Sequence, residues 1–172
     1  MAITEKESKA SKTEIPMIIS VDDHLVEPPH LWQTWLPNKF KEKGPRVERR
    51  RLGEMLWVGG SKMYEYELDA PDAPWCDIWF YEGLVYPNKR HVAAVGFTRE
   101  EMTMSPITYD EMRPGCYEPK ARVQDMISNH VEASLSFPTM PRFCGQTFAE
   151  AEDRELALAC VKAYNDFMVE EW

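Results

Sequence analysis

A short apolar run that ends in two acids and an imidazole, and is then followed by two prolines, constrains this chain more than any other stretch. The run covers residues 15–21 and is typical of a buried β-strand. Asp-Asp-His follows at residues 22–24. Pro28 and Pro29 then exclude a helix, because each proline fixes its own φ and restricts the residue before it. We therefore expect a buried strand that presents polar side chains at its C-terminal end.

The spacing of Asp22 and His24 suits a divalent metal ion. Side chains alternate faces along a strand, so these two point the same way and Asp23 points the other way. Their Cβ atoms would lie about 6.6 Å apart, which is two rises of about 3.3 Å. Both can then reach one cation at about 2.0–2.2 Å from each ligand atom. The tripeptide also fits a turn in which Asp23 bonds local amides, so these residues alone leave both interpretations open.

Two longer stretches resemble the metal-dependent amidohydrolase superfamily. Residues 21–37, VDDHLVEPPHLWQTWLP, are similar to the start of its amidohydrolase-2 branch, which includes decarboxylases related to aminocarboxymuconate semialdehyde decarboxylase. Residues 121–148, ARVQDMISNHVEASLSFPTMPRFCGQTF, are similar to its first helix, second strand and following loop. The resemblance implies an α/β fold, namely the N-terminal portion of a (β/α)8 TIM-like barrel with a small antiparallel sheet inserted after the first strand. It also implies that Asp22 and His24 occupy the positions of the family's His-x-His ligands, with an acid replacing the first His.

The length of the chain limits this expectation. A barrel takes about 250 residues, whereas this chain has 172. We therefore expect the N-terminal part of an enzyme, either a fragment or one subunit of a split protein. The remaining barrel portion would be a second chain or a missing C-terminal segment, in a homo- or hetero-oligomer. The expected division is a flexible polar tail at residues 1–14 and an incomplete barrel domain at 15–172, with the insertion at about 38–115.

Three further side chains are candidates for the site. Glu27 either orients a metal ligand from behind, as outer carboxylates often do, or is a surface acid beside a proline. Arg142, in the loop after a predicted strand at residues 131–137, either holds a substrate carboxylate by two parallel hydrogen bonds or pairs with an acid of the next helix. Trp32 either contacts substrate or fills the core. No catalytic residue is assigned beyond the metal ligands Asp22 and His24.

Local signals predict several other elements. Residues 39–51 are charged and poorly periodic, which favours a solvated loop. Pro119 is a favourable first position for a helix that ends at Asn129 and His130. Thr147 and Glu150 match a capping box, which predicts that the last helix begins there.

Composition excludes several kinds of function. The net charge is −9, from 20 basic and 29 acidic residues, and the basic residues form no face that would bind nucleic acid. No 18-residue apolar run is present, and the charged start lacks the apolar core of a signal peptide, so we expect a soluble, cytoplasmic protein that does not bind membranes. The four cysteines form no Cys-x-x-Cys pair, which favours reduced thiols over a zinc ribbon.

The resemblance implies a metal-dependent hydrolase, in which a metal-activated water attacks an amide, ester, thioester or lactone carbonyl of a small-molecule substrate. The expected ion is zinc, with iron and manganese as alternatives. A non-oxidative decarboxylase of an aromatic or unsaturated acid would use the same two ligands. A non-catalytic subunit would keep the fold without the chemistry. The motif does not separate these three hypotheses.

Overall fold

The structure is a computed structural model that describes residues 15–58 and 64–172, so the predicted tail at residues 1–14 lies outside it. The described strands are β1 (Ile18–His24), β2 (Arg46–Trp57), β3 (Tyr64–Leu68), β4 (Trp75–Tyr81), β5 (Leu84–Pro87) and β6 (Val131–Phe137). The α-helices in the same ranges are α1 (Leu31–Trp35), α2 (Asn38–Lys41), α3 (Pro119–Ser128), α4 (Gln146–Ala149) and α5 (Arg154–Glu170). Short 3-10 turns connect β5 to α3.

The strands form two separate sheets. β1 and β6 pair in parallel, with His24 opposite Phe137. The other four strands form an antiparallel sheet in the order β3-β2-β4-β5. A two-residue turn joins β4 to β5, and both of its residues, Glu82 and Gly83, have positive φ (42° and 77°). Positive φ at both positions matches the right-handed twist of the strands that the turn connects.

The predicted barrel is wrong. Among the described residues, β1 and β6 are the one parallel pair, and the larger sheet is antiparallel. A (β/α)8 barrel needs eight parallel strands, each followed by a helix. Here the chain after β1 instead forms two short helices and then consecutive strands that pair with one another. The antiparallel sheet predicted after the first strand is present, at residues 46–87.

β1 is exposed, although the sequence predicts a buried strand. Ile18, Ile19 and Val21 are 49%, 66% and 68% exposed, and Leu135 on the neighbouring strand is 56% exposed. An apolar run predicts burial only where another layer covers the strand. A pair of strands with one helix beside it leaves much of its apolar surface uncovered within the described chain.

The main core lies between α1, α5 and β4. Trp32, Trp79 and Phe167 are fully buried there, and the two indole rings meet edge to face with their centroids 5.0 Å apart. One face of α5 closes this core with Leu156, Cys160 and Ala163, none of them more than 1% exposed.

The last helix begins later than the sequence predicts. Asp153 caps α5 by accepting hydrogen bonds from the amides of Glu155 and Leu156, at 3.1 and 3.0 Å. The hydroxyl of Thr147 donates instead to the carbonyl oxygen of Met140 at 3.0 Å. The Thr147 hydroxyl is therefore engaged in a tertiary contact rather than in capping the last helix.

Most of the charged stretch predicted to be a loop is regular structure, because residues 46–51 form the first half of β2 and residues 39–41 belong to α2. Arg49 bonds both carboxylate oxygens of Asp77 on β4, and Arg50 pairs with Asp69 just after β3. Acids on neighbouring strands thus compensate the charges, so the segment can pair as a strand. The helix α3 has the predicted first residue, and among the described helices none is both long and apolar enough to cross a membrane.

Candidate functional site

β1 ends at the Asp-Asp-His tripeptide, as the sequence predicts, but its pairing is interrupted just before it. Ser20 is opposite Ser134 and Asp23 is opposite Ser136, so β1 has one residue more than β6 between these pairs. Such a β-bulge re-aims the side chains near it and is common beside functional sites. Simple alternation therefore does not hold through Asp22, and the common face of Asp22 and His24 stays a prediction.

The imidazole of His24 is held by a backbone carbonyl. Its Nδ1 lies 3.2 Å from the carbonyl oxygen of Pro138, in the loop after β6. A carbonyl oxygen can only accept a hydrogen bond, so in the neutral ring Nδ1 carries the proton and Nε2 keeps its lone pair. Histidines that bind metals commonly have this arrangement, because the second nitrogen fixes the tautomer and the ring orientation. The main chain is fixed as well, since Arg122 donates to the His24 carbonyl oxygen at 2.9 Å.

The two acids before His24 differ in their contacts. Asp23 accepts a hydrogen bond from the hydroxyl of Ser134 on β6, so it bonds across the strand pair and not to local amides. Asp22 is exposed and makes no hydrogen bond or ion pair with the described part of the chain. Of the two, Asp22 is the carboxylate that is open to an external ligand.

Glu27 is a buried carboxyl group and not a surface acid. Its side chain is 0% exposed, and its two oxygens accept hydrogen bonds from the amides of Thr139 at 2.7 Å and Met140 at 3.0 Å. Burial raises the pKa of this carboxyl from 4.5 to about 7, because the charged form loses its hydration. Glu27 thus holds the loop after β6, whose Pro138 bonds His24.

The structure shows a packing contact for Trp32 and an ion pair for Arg142. Trp32 is 0% exposed, and its indole N–H donates to the Cys160 carbonyl oxygen at 3.1 Å, so it fills the core, and contact with a substrate stays a prediction. Arg142 pairs with Glu150, with Nη1 3.3 Å from a carboxylate oxygen. Its side chain is 34% exposed, and a role in binding a substrate carboxylate stays a prediction.

The fit of a metal ion can be judged from the available donors. The described residues contain no group of three or more His, Cys, Asp and Glu side chains that could hold an ion. Catalytic zinc sites have three protein ligands and one open position. Asp22 and His24 would supply two of these three ligands, and their joint binding of an ion stays a prediction.

One cleft lies away from these residues. It has a volume of about 600 Å³ and lies beside the antiparallel sheet, where Arg49, Trp75, Arg90 and Asp110 line it. None of the predicted site residues lies in its wall. Of its two arginines, Arg49 bonds Asp77 and Asp110, whereas Arg90 lies over the Phe97 ring and its buried Nε has no hydrogen-bond partner among the described residues. The cleft is therefore separate from the residues that the sequence predicted for the site.

Sequence reasoning missed the backbone groups that organise this region. The Pro138 carbonyl and the amides of Thr139 and Met140 fix His24 and Glu27, but such groups have no signature in a sequence. The proline itself was the available signal, since it restrains the loop at the point where the carbonyl is needed.

In comparisons with known proteins, no family model and no curated protein matches this chain. The resemblance to the amidohydrolase superfamily therefore depends on the quoted motifs alone.

Proposed function

We propose that this chain supplies Asp22 and His24 as two ligands of the divalent metal ion of a hydrolase. The observation behind the proposal is the contact between His24 Nδ1 and the Pro138 carbonyl oxygen, 3.2 Å apart, which leaves Nε2 as the free acceptor. Asp22, exposed and unpaired among the described residues, precedes it by two positions. A carboxylate and an imidazole are donors that zinc accepts, and iron and manganese are alternatives.

The chain's own residues would bind the metal ion and orient the substrate. A bound ion lowers the pKa of a coordinated water and polarises a carbonyl group, which suits the hydrolysis of an amide, ester, thioester or lactone. His24 would bind the ion through the lone pair of Nε2, with its ring fixed by Pro138, and Asp22 would add negative charge. Arg142 uses one nitrogen for Glu150, and its other N–H groups could hold a carboxylate of the substrate.

The remaining donors would come from polypeptide outside the described residues, as a second chain or a further segment. The exposed apolar side chains near Asp22 and His24, which we call the proposed half-site, support this. Val123 and Ile127 on α3 are 50% and 64% exposed, beside the exposed residues of β1 and β6. Parallel strands normally have both faces covered. A segment that covers this surface would come close to Asp22 and His24 and could complete the site.

Turnover in variants of the assembled protein tests the proposed function. The protein is purified with every polypeptide that accompanies it, and its intact masses and metal content are measured. Esters, amides, thioesters, lactones and hydroxybenzoates then serve as substrates for the wild type, Asp22→Ala and His24→Ala. We expect hydrolysis by the wild type, and the loss of both metal and turnover in each variant.

Two outcomes would contradict this proposal. Release of carbon dioxide from a hydroxybenzoate without any hydrolysis would instead support a decarboxylase. Unchanged metal content and turnover in both variants would mean that the two residues are not ligands, as expected of a subunit without catalytic chemistry.

A further inference from the structure

We infer that Glu27 is a positioning residue that sets the tautomer and orientation of His24 through the loop after β6. The inference rests on the proposed function where it treats His24 as a metal ligand. The effect of Glu27 on the His24 ring itself does not require a metal ion. In the described part of the chain, Glu27 makes no hydrogen bond with the His24 ring or with Asp22. Its two carboxylate oxygens bond backbone amides, those of Thr139 and Met140.

These bonds end next to the group that holds His24. The carbonyl of Pro138 forms the peptide bond whose N–H belongs to Thr139, so the two groups lie in one rigid peptide plane. Glu27 holds the N–H side of that plane at 2.7 Å, and His24 Nδ1 meets its carbonyl side at 3.2 Å. Rotation of this peptide would break both bonds together.

The surrounding bonds hold Glu27 against the same loop. The Thr139 hydroxyl donates to the Leu25 carbonyl oxygen at 2.6 Å, and the Leu25 amide donates to the Phe137 carbonyl oxygen at 3.1 Å. On the other side, the Tyr109 hydroxyl donates to the Glu27 carbonyl oxygen at 2.6 Å. The segment that follows His24 is thus bonded along its length to residues 137–140.

The cost of burying this carboxyl group supports a specific role. Glu27 is 0% exposed, and no Lys, Arg or His side chain pairs with it in the described ranges. A buried acid without a cation is unfavourable unless hydrogen bonds compensate, and a neutral side chain would fill the same space at a lower cost. A carboxylate, however, accepts from two adjacent amides with both oxygens, whereas an amide side chain would turn a donor towards one of them.

The test reads the His24 ring directly, without metal. The full chain is labelled with nitrogen-15 at histidine, and imidazole spectra are recorded at alkaline pH, where a histidine ring is neutral. We expect wild-type His24 to have the proton on Nδ1, and Glu27→Gln to show a mixture of the two tautomers. The matched control is Glu155→Gln, which removes an exposed carboxylate that pairs with Lys39; it should leave the His24 signals unchanged.

The affinity for zinc is the second measurement. In the protein purified with its accompanying polypeptides, we expect Glu27→Gln to bind Zn²⁺ about 10- to 100-fold more weakly than the wild type, the effect of losing an outer partner of a ligand. A tautomer change without any zinc binding by the wild type would support the positioning role and contradict the proposed function. A folded Glu27→Gln protein with wild-type His24 signals would overturn the inference.

If Glu27→Gln does not fold, the inference is tested with the shorter side chain of Glu27→Asp and with amide exchange in the wild type. Glu27→Asp cannot reach both amides, so the same tautomer mixture is expected. In the wild type, the amides of Thr139 and Met140 should exchange as slowly as those of the core. Fast exchange at both amides, or a proton on His24 Nε2, would refute the role even without a variant.

Discussion

Arg49 and Asp77 lie directly opposite each other on β2 and β4 and are joined by two N–H···O bonds of 2.8 Å each. Asp77 is 3% exposed and also accepts from the Tyr109 amide at 2.8 Å. The pair therefore connects the antiparallel sheet to the segment whose Tyr109 hydroxyl bonds Glu27. Arg49, a charged side chain of β2, thus helps to hold the segment around Tyr109, and Tyr109 in turn bonds Glu27.

Replacing Arg49 should destabilise the protein. Arg49→Ala leaves the buried Asp77 carboxylate without its cation, at an expected cost of about 2–3 kcal/mol in the free energy of unfolding. This is less than for a fully buried pair, because the Arg49 side chain is 44% exposed. The control Arg46→Ala removes an exposed pair with Glu48 and should cost less than about 1 kcal/mol. Urea unfolding measures both, and equal losses would contradict the assignment.

Stability should depend on pH through Glu27. Burial raises the pKa of this carboxyl to about 7, so between about pH 4.5 and 7 the folded state holds a proton that the unfolded state has released. The stabilisation of the folded state by this proton is fully present below pH 4.5 and is lost as the pH rises through 7. The total loss in the free energy of unfolding is about 3 kcal/mol, at about 1.4 kcal/mol per pH unit. The nearby phenols of Tyr86, Tyr109 and Tyr164 do not interfere, because burial raises the pKa of each.

Urea unfolding at pH 5, 6, 7 and 8 measures this effect in the wild type and in Glu27→Gln, which does not titrate. The stability difference between the two proteins should shrink as the pH rises, since the wild type alone loses the contribution. A difference that stays constant from pH 5 to pH 8 would show that Glu27 titrates near its ordinary value.

Truncation of Trp32 should affect folding rather than substrate binding. Trp32→Ala removes a fully buried ring and its bond to the Cys160 carbonyl, at an expected cost of about 3–5 kcal/mol. Trp75→Ala, at a side chain that is 50% exposed, should cost about 1 kcal/mol or less. Thermal unfolding measures the loss of stability in both variants. If Trp32→Phe kept its stability but raised KM severalfold, the substrate role would replace the core role.

The exposed apolar surface beside the proposed half-site should tolerate polar residues. Ile19→Thr and Leu135→Thr keep or introduce a β-branched side chain at positions that are 66% and 56% exposed, so the free energy of unfolding should change by less than about 1 kcal/mol. Binding to the covering polypeptide should weaken, as sedimentation velocity of the assembled protein would show. Leu25→Thr, at a position that is 1% exposed, should instead unfold the chain. Unchanged assembly in the two surface variants would contradict a partner at this surface.

Elements with local signals were predictable from the sequence. The strand Val131–Phe137 has the predicted bounds, and α3 begins at Pro119 because proline suits the first position of a helix. The helix ends where expected, with His130 at a φ of 56°. Alternation and proline geometry act within a few residues, so a sequence displays them.

Features that depend on distant partners were not predictable. The start of β2 at Arg46 depends on distant acids, Asp77 on β4 and Asp69 just after β3, and the burial of Glu27 depends on amides 112 and 113 positions away. The barrel was expected from resemblance, whereas in the structure β2, β3, β4 and β5 form one antiparallel sheet and β1 pairs with β6. Of the candidate site, the sequence predicted which residues end β1, but not the peptide that holds His24.

The zinc content of the assembled protein tests the central claim most directly. The wild type, His24→Gln and the control His30→Gln are purified with all accompanying polypeptides, dialysed against buffered Zn²⁺ and analysed for metal per chain. His30 is a suitable control because its ring bonds Glu171 at 2.7 Å, away from the proposed half-site. We predict about one zinc per chain in the wild type and in His30→Gln, and much less in His24→Gln, because the loss of a ligand should weaken binding by more than the roughly 10- to 100-fold that the loss of an outer partner costs. Equal zinc in all three proteins, or none in the wild type, would contradict the account.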